Sequence, residues 1–288
     1  MCGVLGGITT KQFEPMICQN ALEKLHHRGP DYQKIKFYKK NDLFFAHSRL
    51  KIIDLSNNAN QPMVSSCNNY EITFNGEIYN FQELKLKCKN YDFRTKSDTE
   101  VLLALFKIYG KDMLDMLEGM FVFAIYDKIN NSIFIARDRF GIKQLYYFIE
   151  DNTFVFSSEI PPLLSFKQDI KEDLRTIKTY LSTSFYDFSQ HTFFKDINRL
   201  EPGCYLEFKI ATFTYTIKKW YALEKNIILN RKSKEQLFQE MEELLFNLIK
   251  KVLKIKILSS LDGIFSLRIL RVLFLFLLRQ LSTNSPAL

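Results

Sequence analysis

Long apolar runs, paired cysteines and segregated charge are all scarce in this 288-residue sequence. Its most apolar region, Gly263 to Leu281, is cut by Arg268, Arg271 and Arg279, and the longest uncharged stretch there is only Val272 to Leu278. A membrane-spanning helix needs roughly 20 such residues, so no membrane partner is expected. The opening MCGVLGGITT has no basic stretch leading into an apolar one, which excludes a secretory signal. The cysteines are Cys2, Cys18, Cys67, Cys88 and Cys204, an odd number with no CxxC pair. Neither a disulfide framework nor a zinc site is indicated, and reduced thiols in a cytoplasmic protein are expected. Net charge is +8, but the lysines are scattered (Lys34, Lys36, Lys39, Lys40, Lys85, Lys87 and Lys89) with no aromatic-and-basic module. A solvated surface, not a nucleic-acid partner, is the expectation. There is no internal repeat and no low-complexity segment.

What is present is a core. The chain is 47% hydrophobic and contains 27 Phe, a composition suited to buried strands. Val4, Leu5 and Ile8 predict a strand almost at residue 1. Pro15 followed by Ile17, Ala21, Leu22 and Leu25 predicts a helix, stopped by Gly29 and Pro30. Leu43 to Leu50 and Lys51 to Leu55 read as strands, and Asn57 to Pro62 as a polar loop. Tyr70 to Phe74 alternates as a strand that Asn75-Gly76 should break, with Asn80 and Glu83 starting a helix. Ser97-Asp98-Thr99-Glu100 is a capping box before the run Val101 to Ile108, and Gly110 closes that helix. Met120 to Tyr126, Ile133 to Ala136, Gln144 to Phe148 and Thr153 to Ser157 follow as strands. Their short connections predict antiparallel neighbours. Phe213 to Tyr221 is a last strand, and Ser233 to Val252 is an amphipathic helix. Helices before and between strands indicate an α+β arrangement.

Cys2 stands out by position. An initiator Met before a small residue is normally removed, which places the thiol and a free α-amine on one residue. That amine, with a reference pKa of about 7.7–8.0, can take the thiol proton and return it to a leaving group. Around Cys2 the words MCGVLGG, HHRGPD, HSRLKIIDLS, NQPM, FNGEIYNF, SDTEVLLAL, GMFVFAIYD, ARDRFGIKQLYY and FSSEI occur in that order. Over residues 1 to about 220 the chain resembles the glutaminase half of asparagine synthase (glutamine-hydrolysing), a class II amidotransferase. It departs at Gln144, where the family usually has Pro, and at Pro161-Pro162, where a helix former is usual.

The resemblance implies an N-terminal-nucleophile (Ntn) hydrolase four-layer sandwich, two antiparallel β-sheets between helices, with a C-terminal helical extension. It implies that Cys2 attacks the side-chain amide of L-glutamine. Asn75 and Gly76 would form the oxyanion hole. Arg49 would grip the substrate α-carboxylate, Asp98 with Glu77 would pair with the α-ammonium, and Leu50, Lys51, Ile52 and Ile53 would line the pocket. Arg28, Asp31, Arg137, Asp138 and Arg139 would make structural ion pairs behind the site. No cofactor or metal is expected for this half. ATP and Mg are implied only for the intact family.

The resemblance predicts a glutaminase domain over 1–210 and a linker with the start of a synthetase domain over 211–288. The glycine loop that would cradle a pyrophosphate is missing after Gly263-Ile264-Phe265, where Ser266-Leu267-Arg268 follows. The expectation is a truncated or frameshifted tail beyond about residue 265. A synthetase domain, a separate subunit or a homodimer would then be the partner. The rival readings are an inactive remnant that only interacts, and an amidotransferase for an acceptor other than aspartate.

Overall fold

The computed structural model describes residues 1–38, 42–186, 189–226 and 232–257, and the expected tail beyond residue 265 lies outside them. The chain divides into two compact units, Met1–Ile227 and Ile228–Leu288. The second contains the helix expected from the heptad-like pattern, Lys234–Ile257.

The first unit is built on two six-stranded antiparallel sheets. One has the order β10-β8-β9-β1-β3-β2, the other β12-β11-β7-β6-β5-β4. In the first, β1 (Gly3–Thr9) lies between β3 (Leu43–Arg49) and β9 (Thr153–Ser157), flanked by β2 (Tyr32–Tyr38), β8 (Tyr146–Glu150) and β10 (Asn198–Arg199). In the second, β5 (Tyr70–Ile78) pairs with β4 (Met63–Val64) and β6 (Gly119–Asp127), followed by β7 (Ser132–Arg137), β11 (Cys204–Lys209) and β12 (Thr214–Lys219). The unit passes the boundary expected at residue 210, because β12 pairs along its whole length with β11.

Both faces of each sheet are covered, as strict alternation shows. On β6, Phe121, Phe123 and Ile125 join the core under helices α2 (Phe81–Lys87) and α3 (Asp98–Tyr109). Val122, Ala124 and Tyr126 face the gap between the sheets and meet Val4, Ile8 and Phe45. On the far side, Leu5, Phe44 and Ala46 pack on α1 (Pro15–Glu23) and α4 (Ile160–Leu164). Two covered faces explain why these strands read as continuous apolar runs. Helix, sheet, sheet, helix is the four-layer α+β sandwich that was expected. Pro161 and Pro162 sit in the first turn of α4, where a missing N–H costs nothing. A further helix, α5 (Leu174–Thr183), is capped by the Asp173 carboxylate.

Two expectations fail informatively. Lys51 to Leu55 forms no strand. It is a loop tied by side chains, since Asp54 accepts from the N–H groups of Ser56 and Lys96 at 2.9 Å each. Asn75-Gly76 does not end β5 either, for pairing continues to Ile78 opposite Gly119. Glycine is required here by close backbone approach. A Cβ on Gly76 would lie 2.3 Å from the Met120 carbonyl oxygen, and one on Gly119 would lie 2.1 Å from that of Glu77.

At the end of β5 far from Cys2, the sheets are clamped by charge. The buried Glu71 carboxylate meets Lys36 Nζ and Lys128 Nζ at 2.6 Å each and accepts the Tyr38 hydroxyl at 2.5 Å. Lys36 and Tyr38 belong to β2, so this cluster joins one sheet to the other. Glu71→Ala should lower unfolding free energy in a urea titration by about 2 kcal/mol. That is below the usual cost of breaking a buried pair because both lysines can rehydrate.

Candidate active site

β5 exposes Ile72, Phe74 and Ile78 to the helix-covered core, so Thr73, Asn75 and Glu77 point into the gap between the sheets. Cys2 immediately precedes β1, whose Val4 and Ile8 face the same gap. Two registers therefore bring the thiol to the Asn75–Glu77 end of β5. Cys2, Arg49, Leu50, Ile52, Ile53, Gly76, Glu77 and Asp98 line one cleft of about 50 Å³. A larger open cleft of about 900 Å³, between the end of α3 and β11–β12, is lined by no cysteine or histidine and by no buried partnerless polar atom.

The Cys2 thiol rests on the backbone of one residue, Leu50. Sγ accepts from Leu50 N–H at 3.4 Å and donates to the Leu50 carbonyl at 3.6 Å. Burial pushes the thiol above its ordinary pKa, against the opposing pull of the Leu50 N–H, the terminal amine and Arg49. The resting form is a thiol that needs a base. The terminal amine, carried here by Met1, is shifted down by burial, with Arg28 and Lys143 adding to the effect. Arg28 Nε holds the Cys2 carbonyl at 2.9 Å, and its Nη1 pairs with Glu159 at 2.6 Å.

Asn75 is 2% exposed and its Nδ2 has no hydrogen-bond partner. A buried amide donor left unsatisfied costs free energy of about 1–3 kcal/mol. Beneath it, Thr73 Oγ1 donates to the Ala46 carbonyl at 3.1 Å, so it accepts from His47 Nδ1 at 3.2 Å. That fixes the histidine tautomer and leaves Nε2 as a second partnerless atom in the gap. Burial holds His47 neutral, with its pKa lowered to about 3.

α3 places the acid. The Ser97 hydroxyl caps the helix by accepting from Glu100 N–H at 3.3 Å. The other half of the expected capping box does not form. The Glu100 carboxylate instead binds the N–H groups of Arg94 and Thr95, which fixes the strap leading into the helix. Asp98 is thereby buried against the end of β5 and accepts Ile78 N–H at 3.2 Å. Burial pushes its carboxyl up to about 7, the Ile78 and Thr99 N–H groups pulling the other way and neighbouring Glu77 adding to the rise. No cation pairs with it among the described residues.

Arg49, 5% exposed, donates Nη1 to the Ser56 carbonyl at 2.9 Å and to Asn60 Oδ1 at 2.5 Å, and Nη2 to the Asp54 carbonyl. A guanidinium has five donors. Nε–H and one Nη2–H therefore remain without a chain partner among the described residues, the side-on fork that fits a carboxylate.

The expected lining set is largely assembled, with one exception. Lys51 turns away: its N–H donates to Asp31 at 2.8 Å and its ammonium reaches Asn57 at 3.4 Å. The expected ion pairs behind the site need correction. Only Arg28 makes one. Arg137 is buried against carbonyl oxygens of Lys143, Leu200 and Gly141, Asp138 accepts four backbone N–H groups, and Arg139 lies over Trp220 and Tyr221. These residues shape the loop from Arg139 to Leu145. Two cleft neighbours were not anticipated. Gln61 links Phe74 N–H at 2.6 Å to Thr99 Oγ1 at 3.3 Å. Lys143, the other, lies in a motif whose letters give no sign that its ammonium turns inward.

Among the described residues, no group of three His, Cys, Asp or Glu is placed to hold a metal, and no helix is long and apolar enough to cross a membrane. The segment where an ATP and Mg loop would be sought, 258–288, lies outside the described residues.

Two antiparallel sheets between helices, with Cys2 just before β1 at the inter-sheet gap, are the arrangement of the N-terminal-nucleophile hydrolase fold. Solved structures agree on the fold. The chain is similar to glutamine phosphoribosylpyrophosphate amidotransferase from B. subtilis, with a TM-score of 0.57, 20% identity, and coverage of 76% of this chain and 49% of that one. Residues 1–221 match the model of the glutamine amidotransferase domain, and the chain belongs to that family. Curated relatives include asparagine synthetase (glutamine-hydrolysing) 1 of Bacillus subtilis, 37% identical over 70% of this chain and 33% of that protein. A Methanocaldococcus jannaschii protein provisionally named asparagine synthetase (glutamine-hydrolysing) 2 is 33% identical over 87% of this chain and 52% of that protein. The chain thus spans about half the length, or less, of these relatives.

Asp98 makes a testable trade. Its folded carboxyl keeps a proton up to about pH 7, whereas an unfolded Asp ionises near pH 4. The folded state binds the extra proton between those values, so the residue's contribution to stability falls as pH rises through that window. Asp98→Asn should therefore melt higher than the parent at pH 8, by the equivalent of about 2 kcal/mol, with the difference vanishing near pH 4. Parallel thermal melts across that range check it.

Proposed function

We propose that this chain hydrolyses L-glutamine to L-glutamate and ammonia through a thioester on Cys2, as the glutaminase half of an asparagine synthase. The observation that carries the reading is Asn75 Nδ2, a buried donor with no partner on the residue next to Gly76, which lines the cleft with Cys2. Such a donor gains its hydrogen bond only when charge develops there.

The reaction follows from the groups present. With Met1 removed, the Cys2 α-amine takes the thiol proton as Sγ attacks the glutamine amide carbon. The carbonyl oxygen becomes an oxyanion facing Asn75 Nδ2 and the Gly76 N–H. The amine then gives its proton to the departing nitrogen, so ammonia leaves and a cysteinyl thioester remains. Water, deprotonated by the same amine, attacks the thioester, and the thiol is restored as glutamate leaves.

The rest of the cleft suits an amino acid. The side-on fork of Arg49 receives the α-carboxylate. Asp98, a buried acid with no cation and with Glu77 beside it, receives the α-ammonium. A cleft of about 50 Å³ holds a water or two, so it must widen to admit glutamine. Aspartate is the proposed final acceptor, since the relatives named above are asparagine synthetases, and the longer relatives' remaining half would supply its site.

Purified chain with a mass-verified Cys2 terminus should release ammonia from glutamine, and Cys2→Ala should release none. Asn75→Ala should lower kcat by about 10²–10³-fold with KM little changed. A well-folded chain that releases no ammonia would overturn the proposal and favour the interacting remnant. Glutamine binding to the Cys2→Ala variant, followed by calorimetry, should weaken about tenfold per pH unit below pH 7, because only ionised Asp98 pairs with the ammonium. Affinity that is flat from pH 5 to 8 would remove Asp98 from the ammonium site.

A further inference from the structure

Lys143 is the one buried cation beside Cys2 that the hydrolytic reading does not use. Its backbone is fixed on both sides. The N–H donates to Asp138 Oδ2 at 3.0 Å, and the carbonyl accepts from Arg137 Nε at 2.7 Å. Both partners are themselves buried, Arg137 at 2% and Asp138 at 1% exposure. From this anchored position the side chain runs inward, 5% exposed, and its ammonium lies 3.2 Å from Met1 Sδ. No carboxylate lies within ion-pair distance of it among the described residues. An unpaired buried ammonium is strongly unfavourable unless something else requires it.

The charges around residue 1 explain what could require it. The terminal amine is faced by Cys2, Arg28, Lys143 and Asp31, and Lys143 by Glu77, Arg28, Cys2 and Asp138. Arg28 and Asp31 are committed elsewhere. Arg28 pairs with Glu159 and holds the Cys2 carbonyl, and Asp31 accepts the Lys51 N–H. Lys143 is the cation left without a counter-ion, and its present contact is to a residue that maturation removes. Once Met1 is gone, the ammonium loses that contact and keeps Cys2 among the charges it faces.

We propose that Lys143 is a positioning residue whose charge keeps the Cys2 α-amine unprotonated and its thiol ready to ionise at neutral pH. The inference rests on Cys2 being the amine-assisted nucleophile. A neighbouring cation disfavours protonation of an amine and favours a thiolate, so one charge acts on both base and nucleophile. A free amine would be largely protonated at pH 7 and unable to accept the thiol proton; burial opposes that first, and the charges of Arg28 and Lys143 add to it.

The test reads Cys2 directly. Iodoacetamide alkylation of the mature chain is followed from pH 5 to 10 by mass spectrometry of the N-terminal peptide, which separates Cys2 from the other thiols. Lys143→Met should raise the midpoint by roughly one pH unit. Lys143→Arg, which keeps the charge, should return it towards the parent value. The acid limb of kcat/KM for glutamine should move the same way in the same variants. Lys143→Gln serves where the Met variant melts below the assay temperature. An unchanged midpoint in Lys143→Met, or an Arg variant displaced as far as the Met variant, overturns the inference. A parent chain that shows the alkylation shift but releases no ammonia would instead overturn the glutaminase reading and leave Lys143 in its role.

Discussion

The structure depends on β5 being a strand with one apolar and one polar face, both buried. Ile72, Phe74 and Ile78 pack under α2 and α3, which commits Glu71, Thr73, Asn75 and Glu77 to the gap between the sheets. A polar row in a closed layer must be satisfied residue by residue or remain as a cost. At one end Glu71 is satisfied by two lysines and a tyrosine. In the middle Thr73 is satisfied by Ala46 and His47. At the other end satisfaction stops, with Asn75 Nδ2 left open. A one-residue slip in the β5–β6 pairing would turn all four outward and drive Ile72, Phe74 and Ile78 into the gap. Gly76 and Gly119 oppose such a slip, since only glycines fit where these two backbones approach most closely.

Buried charges elsewhere in the domain show how different the cleft is. Arg137 meets carbonyl oxygens, Glu100 meets two N–H groups and a hydroxyl on neighbouring residues, and Asp138 meets four N–H groups. These are charges used as scaffolding, each saturated by fixed dipoles. In the cleft, Asp98 has a single cross-strand N–H and no cation, Lys143 has a thioether, and Arg49 keeps part of its fork open. Arg199 Nε on β10 is also partnerless among the described residues, so the unsaturated groups gather around the cleft without being confined to it. That pattern is expected where a ligand, not the chain, supplies the missing partners, and it lowers the stability of the empty protein.

Much of this was legible in the sequence. Element types came from alternation, and the cleft membership of Cys2, Arg49, Gly76, Glu77 and Asp98 came from whole motifs. The failures have a common cause. Asn75-Gly76 reads as a strand ending because Gly usually breaks a strand, but here glycine answers to a backbone in another part of the chain. Lys51 to Leu55 reads as a strand from its apolar residues, yet Ile52 and Ile53 are half-buried at a cleft, Leu55 is exposed, and none of them joins a sheet. The Glu of the Ser97–Glu100 box turns to Arg94 and Thr95, a choice set by where the strap must pass. Arg137 and Asp138 read as an ion pair since they are adjacent and opposite in charge. Each is instead consumed by peptide groups that only the folded loop brings near. Local pattern fixes what a residue can do, whereas register and loop closure fix which of those things it does.

The Arg137–Asp138 loop also shows why saturated and unsaturated charges belong to one design. Asp138 gathers the N–H groups of Phe121, Phe140, Ile142 and Lys143, and Arg137 gathers the carbonyls of Gly141 and Lys143. Gly141, at φ +65°, leaves room for the arginine, since a Cβ there would lie 2.7 Å from its Nη2. The loop is therefore closed by its own peptide groups and needs no contact from the Lys143 side chain. That independence is what permits a lysine to place its ammonium in a buried site where it has no anionic partner. Had the ammonium been needed to hold the loop, it would have been drawn to a carbonyl or a carboxylate, as Lys128 is drawn to Glu71. Rigid support on the backbone and an unsatisfied charge at the tip are two halves of one arrangement, and the same division holds for Asp98 on its capped helix.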